Sequence, residues 1–160
     1  MVQEDNSNPY YLQQPARRSG AGVLITNSSG EVLLVEPNYK PQWECPGGVV
    51  ERGEDPRSAC EREVMEELGL ANRTGRLLVL SHTSDPLPRG DAIMFQYDGG
   101  LLDDPTLITL QKSELISFRF VPLEDMERLV TERLATRLRA AIRARASGAT
   151  LELVNGKAIE

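Results

Sequence analysis

The sequence has few of the residues that build cysteine frameworks, histidine centres and aromatic clusters. Among its 160 residues are two cysteines, one histidine and one tryptophan. Two isolated cysteines, Cys45 and Cys60, can form neither a spaced disulfide framework nor a four-ligand zinc site, so we expect reduced structural thiols. His82 has no histidine partner and no serine or cysteine nucleophile motif beside it. We therefore expect it to be a packing or hydrogen-bonding residue rather than a base.

Long apolar runs and an excess of positive charge are also missing. No apolar stretch approaches the ~18 residues that a membrane span requires, and residues 2–8 show neither the basic nor the apolar region of a secretion signal. The formal net charge of −6 disfavours binding to duplex nucleic acid. We therefore expect a soluble, cytoplasmic protein whose partners include neither a membrane nor duplex nucleic acid.

The length and the 40% hydrophobic content are typical of a single globular domain, which we place at residues 19–160. Residues 1–18 are polar and are interrupted by Pro9 and Pro15, so we predict a flexible N-terminal arm without regular structure. Tyr10 and Tyr11 are large apolar groups in this arm and could dock on the domain or on a second subunit. A homodimer therefore stays an open alternative.

Apolar periodicity and turn signals predict the core elements of the domain. The predicted strands cover residues 21–26, 31–35, 76–82, 92–97, 116–121 and 150–154. Two C-terminal helices are predicted at residues 122–130 and 131–146. We interpret the arginines of the second helix, Arg137 among them, as a solvated face.

The best-defined element is a helix predicted at residues 56–68. Asp55 is a suitable N-cap, Pro56 suits the first helical position, and Gly69 supplies the C-terminal stop. An apolar stripe recurs every four residues and should face the core. Its members are Cys60, Val64 and Leu68.

Three carboxylates crowd an adjoining face of this helix. Glu63, Glu66 and Glu67 lie within about one turn of one another, and like charges at such spacings destabilise a helix by ~0.2–0.5 kcal/mol per pair. Arg62 can offset only part of this repulsion. A bound divalent cation would remove it, because Mg²⁺ prefers carboxylate oxygens. On composition alone, the alternative is a solvated acidic helix.

The spacing of the whole segment favours the metal-binding alternative. Gly48 is followed after five residues by Glu54 and after seven more by REVMEELGL at residues 62–70. This pattern resembles the Nudix box at every fixed position, over residues 48–70. The resemblance implies an α/β fold, an α/β/α sandwich of the Nudix type with a mixed β-sheet. It also implies hydrolysis of nucleoside diphosphates linked to another group, with Mg²⁺ or Mn²⁺ as cofactor.

The resemblance also implies roles for individual residues. The helix glutamates would ligate metal or orient and deprotonate water, Glu54 would join them more distantly, Arg62 would hold the glutamates by ion pairing, and Gly48 would supply a backbone oxygen. Which glutamate is the general base stays open. The implied catalytic residues are Glu54, Arg62, Glu63, Glu66 and Glu67, and the implied metal ligands are Gly48, Glu63, Glu66, Glu67 and Glu114.

Glu114 is the candidate ligand from outside the box. Related MutT-like hydrolases place a glutamate in a loop at about this separation from an aromatic residue of the following strand, and Glu114 stands six residues before Phe120. Asp91, at the mouth of the preceding strand, is the alternative ligand. A solvent-facing carboxylate without function is the third reading of Glu114.

The residues of the box are expected to bind the diphosphate, and they do not identify the group that is linked to it. Subgroups of the family that act on ADP-ribose often have a proline fifteen residues beyond the box, where this sequence has Asp85 followed by Pro86. We therefore expect a small nucleotide substrate, with (deoxy)nucleoside triphosphates ahead of ADP-ribose and sugar nucleotides. A catalytically silent nucleotide sensor is the alternative function, although all four glutamates are present. Candidate readers of the variable group are Tyr39, Trp43, Arg89 and Tyr97, and for Trp43 a core position is favoured over base stacking.

Overall fold

Eight strands form one mixed sheet in the computed structural model, which describes residues 8–159. The strands are β1 Arg18–Thr26, β2 Val32–Pro37, β3 Gly47–Val49, β4 Leu77–Thr83, β5 Ala92–Leu101, β6 Leu115–Val121, β7 Leu151–Val154 and β8 Lys157–Ala158. The helices are α1 Pro9–Leu12, α2 Pro56–Leu68 and α3 Glu132–Ser147, and short 3₁₀ turns lie at Pro105–Leu107 and Met126–Arg128.

The sheet runs in the order β6-β2-β1-β5-β4-β7-β8, and β3 pairs separately with β1. The β1–β5 and β4–β7 pairs are parallel, whereas β1–β2, β1–β3, β2–β6 and β4–β5 are antiparallel. The β1 strand thus lies in the middle of the sheet. Because both faces of β1 are covered, its sequence is a continuous apolar run rather than an alternation of apolar and polar residues.

The two faces of the sheet carry separate apolar clusters. Val23 and Ile25 of β1 pack in one cluster with Val64 of α2, whereas Leu24 packs in the other with Leu138 of α3. Successive side chains of a strand point to opposite faces, so α2 and α3 lie on opposite sides of the sheet. This arrangement is an α/β/α sandwich with a mixed sheet, and it confirms the predicted fold class.

The limits of α2 are those predicted from its capping residues. The Asp55 carboxylate accepts a hydrogen bond from the Ser58 backbone N–H at 2.9 Å, and Pro56 opens the helix. Gly69 ends it with φ 67°, the left-handed conformation that glycine adopts without steric cost. Local capping chemistry therefore fixes the helix that carries the box glutamates.

The C-terminal region agrees only in part with the prediction. The second predicted helix forms as α3, where the Thr131 hydroxyl accepts a hydrogen bond from the Leu134 backbone N–H at 3.3 Å. The helix predicted at residues 122–130 is wrong, since only Met126–Arg128 forms a 3₁₀ turn. The Leu129 carbonyl instead accepts the Trp43 backbone N–H at 2.9 Å, so this segment is bonded to the loop before β3.

Arg145 ties the end of α3 to the sheet. Its guanidinium donates to the Leu24 carbonyl at 2.6 Å, to the Thr26 hydroxyl at 2.7 Å and to the Asp98 carboxylate at 2.7 Å. These partners lie on β1 and β5, which are paired in parallel. Arg145 is therefore a structural clamp rather than a solvated charge.

The N-terminal arm is more regular than predicted. Pro9 opens the single turn of α1, and the Asn8 side chain accepts a hydrogen bond from the Tyr10 backbone N–H at 3.0 Å. The expectation that Pro9 interrupts regular structure is wrong here, because proline is tolerated in the first turn of a helix. Tyr10 and Tyr11 stack edge to face at 5.7 Å and stay exposed. Residues 1–7 of the predicted arm lie outside the described residues.

The two cysteines agree with the prediction from residue type. Cys45 and Cys60 are buried and unbridged, and burial raises their pKa values to about 11 and about 12, which keeps the thiols protonated. His82 lies on β4 with its Nε2 atom 3.3 Å from the Glu152 carboxylate. Within residues 8–159, no helix is both long and apolar enough to cross a bilayer.

Candidate active site

Arg62 connects the carboxylates at the exposed side of α2. Its guanidinium donates two hydrogen bonds of 3.0 Å to the Glu54 carboxylate, one of 2.8 Å to Glu63 and one of 3.3 Å to Glu66. A further bond of 3.1 Å reaches the Val49 carbonyl of β3. Hydrogen bonding from Arg62 lowers the pKa of Glu54, and the same bonds raise the pKa of Arg62. The sequence thus places a permanent cation at the centre of three carboxylates.

Glu67 has a different environment from the other glutamates of α2. It is half-buried, and its carboxylate accepts the Gly47 backbone N–H at 2.9 Å. Burial raises the pKa of Glu67 to about 8, and the negative charges of Glu63 and Glu114 contribute in the same direction. At neutral pH this group therefore carries a proton when nothing else compensates its charge.

Gly48 is in close contact with the Glu63 carboxylate. A Cβ atom built on Gly48 would lie 2.4 Å from both Cδ and Oε1 of Glu63. Since β3 pairs with β1 through Gly48 and Ala21, the glycine cannot simply retreat from α2. The absence of a side chain at this position is thus what lets the carboxylate lie against the β3 backbone.

A cavity of about 660 Å³ opens beside these groups. Gly48, Glu54 and Glu67 line it, so three of the predicted site residues face the same space. Glu63 and Glu66 do not line it, and both are bonded to Arg62 instead. The predicted site residues of the box are nevertheless brought together around β3 and α2.

The two candidates from outside the box lie in different surroundings. Glu114 is exposed, and its negative charge contributes to the raised pKa of Glu67. Asp91 pairs with Arg17 at 3.4 Å, and its backbone carbonyl accepts the Arg18 N–H, at the start of β5. Glu114 is therefore the candidate whose charge acts on a box glutamate, whereas the Asp91 carboxylate is paired with Arg17.

Most of the residues predicted to contact the variable group of the substrate lie away from the cavity. Tyr39 lines the cavity and is 70% exposed. Trp43 is buried in the α3-side cluster with Arg119 stacked on its ring at 5.0 Å, in agreement with the favoured core role. Tyr97 is buried in the α2-side cluster, and Arg89 pairs with Asp85 at 3.6 Å. Neither of these two side chains reaches the cavity.

Sequence reasoning missed most of the cations that face the cavity. Arg137 was interpreted as part of a solvated helix face, and this interpretation is wrong because its side chain lines the cavity from α3. Helical periodicity shows which residues share a face, but it does not show that a loop and a strand end close over that face. The cations lining the cavity are Arg17, Arg18, Lys40 and Arg137.

The donor set at this site consists of oxygen atoms. Within the described part of the chain, no three Asp, Glu, His or Cys side chains are already grouped as a metal site. Arg62 is hydrogen-bonded to three of the carboxylates, and the Gly47 N–H is hydrogen-bonded to Glu67. Carboxylates packed against a glycine backbone are nevertheless the ligands that Mg²⁺ or Mn²⁺ prefers, so the residues present fit such a cation.

Comparison with known proteins agrees with this geometry. The NUDIX domain family matches this chain over residues 16–144, which include both the box and the cavity lining. The chain therefore belongs to the NUDIX family.

Several similar proteins have named activities or solved structures. An RNA pyrophosphohydrolase of Roseobacter denitrificans is 40% identical over 73 residues, which are 44% of this chain and 44% of that protein. Diphosphoinositol polyphosphate phosphohydrolase 2 of Rattus norvegicus is 48% identical over 70 residues, 43% of this chain and 39% of that protein. The chain thus spans less than half the length of these curated relatives. The crystal structure of the MutT protein from Methanosarcina mazei Go1 matches with a TM-score of 0.64 at 25% identity, covering 85% of this chain and 97% of that one.

Proposed function

We propose that this protein is a divalent-metal-dependent pyrophosphohydrolase that cleaves a phosphoanhydride bond of a small nucleotide by attack of water at phosphorus. Nucleoside and deoxynucleoside triphosphates rank ahead of ADP-ribose and sugar nucleotides as substrates. The observation that carries the proposal is the group of box residues around β3 and α2, in which Gly48, Glu54 and Glu67 line one cavity and the Glu63 carboxylate lies against Gly48. Such a group in a cleft is typical of a functional site.

The metal would be held by the carboxylates of α2 and by the backbone of β3. Glu63, Glu66 and Glu67 would supply carboxylate oxygens, Gly48 a carbonyl oxygen, and Glu114 a further carboxylate from the loop before β6. Bound Mg²⁺ or Mn²⁺ would neutralise diphosphate charge and make water more acidic. The three box glutamates are also the groups whose mutual repulsion a cation would relieve.

The protein's own residues have separate tasks in this mechanism. Arg62 orients Glu54 and Glu63 through the hydrogen bonds described above, so these side chains are held before substrate arrives. Glu67 is the proposed general base, because it lines the cavity and its carboxylate is bonded to the Gly47 N–H rather than to Arg62. Tyr39 offers an exposed ring for stacking at the cavity mouth.

A nucleotide sensor without turnover is the second candidate. The observation that favours it is the closed arrangement in which Arg62 already satisfies Glu54, Glu63 and Glu66. A sensor would bind its nucleotide in the same cavity but would release no product. Binding alone therefore does not distinguish the two functions, whereas product formation does.

The test is a substrate panel with identified products. Nucleoside triphosphates, ADP-ribose, a sugar nucleotide and a dinucleoside polyphosphate are each incubated with Mg²⁺ and with Mn²⁺, and monophosphate, phosphate and pyrophosphate are separated by chromatography. We expect metal-dependent saturable turnover, fastest for a triphosphate. Tight binding of one compound with no product from any of them would establish the sensor instead.

A further inference from the structure

Arg137 reaches the cavity from the side of the sheet opposite to α2. It lies on α3, one residue before Leu138 of the α3-side cluster, and its side chain lines the same cavity as Glu67. The cavity therefore has an acidic wall from α2 and β3 and a basic group on the α3 side. A ligand that spans it meets both.

A buried amide fixes the orientation of Arg137. The Nε atom donates to Oε1 of Gln96 at 3.1 Å, and Gln96 on β5 is completely buried. The Cys45 thiol, at 3.7 Å, donates to the same oxygen. Because both neighbours are hydrogen-bond donors, the oxygen of Gln96 must face them. Arg137 is thus held at its Nε atom, which leaves its two terminal nitrogens available.

The other cavity cations are already engaged by protein groups. Arg17 pairs with Asp91 at 3.4 Å, Arg18 donates to the Arg89 carbonyl at 2.8 Å, and Lys40 pairs with Glu44. Within residues 8–159, the terminal nitrogens of Arg137 form no salt bridge and no hydrogen bond. A half-buried guanidinium without an anionic partner is unfavourable, and an anionic ligand group would compensate it.

We propose that Arg137 binds a phosphate group of the substrate other than the diphosphate that is cleaved. The cleaved diphosphate belongs beside the α2 carboxylates, whereas Arg137 approaches from the other face of the sheet, and its planar fork matches two phosphate oxygens. The preferred substrates then carry at least three phosphates, as nucleoside triphosphates do. Gln96 is a positioning residue, since it acts only through Arg137. This inference rests on the proposed function for the placement of the diphosphate.

The test measures binding of two probes to the full chain. Inorganic tripolyphosphate carries the additional phosphate, whereas ADP-ribose has only the diphosphate, and both are titrated calorimetrically at one fixed salt concentration with and without Mg²⁺. The variants are Arg137→Met, Arg137→Lys and, as a matched control, Arg143→Met. Arg143 is an exposed residue of the same helix and does not line the cavity. Melting curves check that each variant is folded.

The expected result is a selective loss of affinity. Arg137→Met should weaken tripolyphosphate binding by about 10- to 100-fold, the range for loss of one charge-assisted contact, and should change ADP-ribose binding less than about twofold. Arg137→Lys keeps the positive charge but lacks the planar guanidinium, so its affinity for tripolyphosphate should lie between those of the wild type and Arg137→Met. Arg143→Met should bind both probes like the wild type. If Arg137→Met does not fold, Gln96→Leu takes its place. This substitution removes the hydrogen bond that holds the guanidinium, so it should weaken tripolyphosphate binding and leave ADP-ribose binding nearly unchanged.

Three results would overturn this assignment. They are equal losses for both probes, no loss for tripolyphosphate, and no measurable tripolyphosphate binding by the wild-type protein. Failure of the proposed hydrolase function looks different. In that case Arg137-dependent tripolyphosphate binding is retained, while the substrate panel yields no product.

Discussion

Gly48→Ala tests whether the position of the Glu63 carboxylate matters for turnover. The added methyl group would lie 2.4 Å from Cδ and Oε1 of Glu63, so the carboxylate must withdraw by about 1 Å to reach the ordinary contact range that begins at 3.4 Å. Displacing a reacting or metal-holding group by about 1 Å can cost ~100-fold in rate. We therefore expect kcat/KM to fall by about two orders of magnitude.

The same substitution should have little effect on folding. The clash involves the far end of a side chain, and the hydrogen bond that it disturbs, Arg62 to Glu63 at 2.8 Å, is partly exposed. Loss of such an ion pair costs ~0–1 kcal/mol, and 1 kcal/mol corresponds to a fall in Tm of about 2–4 °C for a chain of this size. Steady-state kinetics and thermal melting measure the two effects separately.

A double-mutant cycle identifies the mechanism of this loss. If Gly48→Ala acts by displacing Glu63, it should cause almost no further loss of activity in a Glu63→Ala background, because the displaced group is absent. The reasoning is refuted if the two substitutions are additive. It is equally refuted if Gly48→Ala alone retains wild-type kcat/KM.

Three further predictions concern proton linkage, the additional ligand and stability. Burial raises the pKa of Glu67 from 4.5 to about 8 in the folded state. Between these two pH values the metal-free folded protein therefore binds one more proton than the unfolded chain. Its free energy of unfolding should fall as pH rises through this range, by at most ~1.4 kcal/mol per pH unit. Glu67→Gln should flatten this slope in denaturant titrations, and Mg²⁺ binding at pH 7 should release a proton in calorimetry. Glu114→Ala should shift the metal concentration needed for half-maximal activity, whereas Asp91→Ala should not. Arg145→Ala should lower the free energy of unfolding by ~2–3 kcal/mol because it leaves buried oxygens unpaired, while Arg143→Ala should change it by less than ~0.5 kcal/mol.

The elements with local signals were predictable from the sequence. The α2 helix has an N-cap at Asp55, a proline at its first position and a left-handed glycine at its end, and each of these signals acts within one helical turn. The strand predicted at residues 150–154 likewise forms as β7, and Asn155-Gly156, with φ angles of 50° and 80°, connects it to β8. The glutamates predicted from the spacing of the box lie in one region of the structure.

The features that the sequence did not reveal depend on contacts between distant segments. Arg137 is one arginine among several on α3, and its hydrogen bond to Gln96 of β5 joins segments 41 residues apart in the sequence. The β3 strand was not among the predicted strands, because its pairing with β1 is set by the sheet and not by strand propensity. The missing helix at residues 122–130 has the same origin, since the Leu129 carbonyl is bonded to Trp43.

The central claim is that the α2 carboxylates support metal-dependent cleavage of a phosphoanhydride bond. The most direct measurement compares the initial rate of pyrophosphate or phosphate release from a nucleoside triphosphate by the wild type, Glu67→Gln and Glu61→Gln, each with Mg²⁺ and after chelation. Glu61 lies on the same helix but does not line the cavity, so Glu61→Gln is the same substitution made outside the candidate site. We predict Mg²⁺-dependent release by the wild type and Glu61→Gln, and a rate at least about 100-fold lower for Glu67→Gln. Equal rates for Glu67→Gln and the wild type, or a rate that chelation leaves unchanged, would contradict the account.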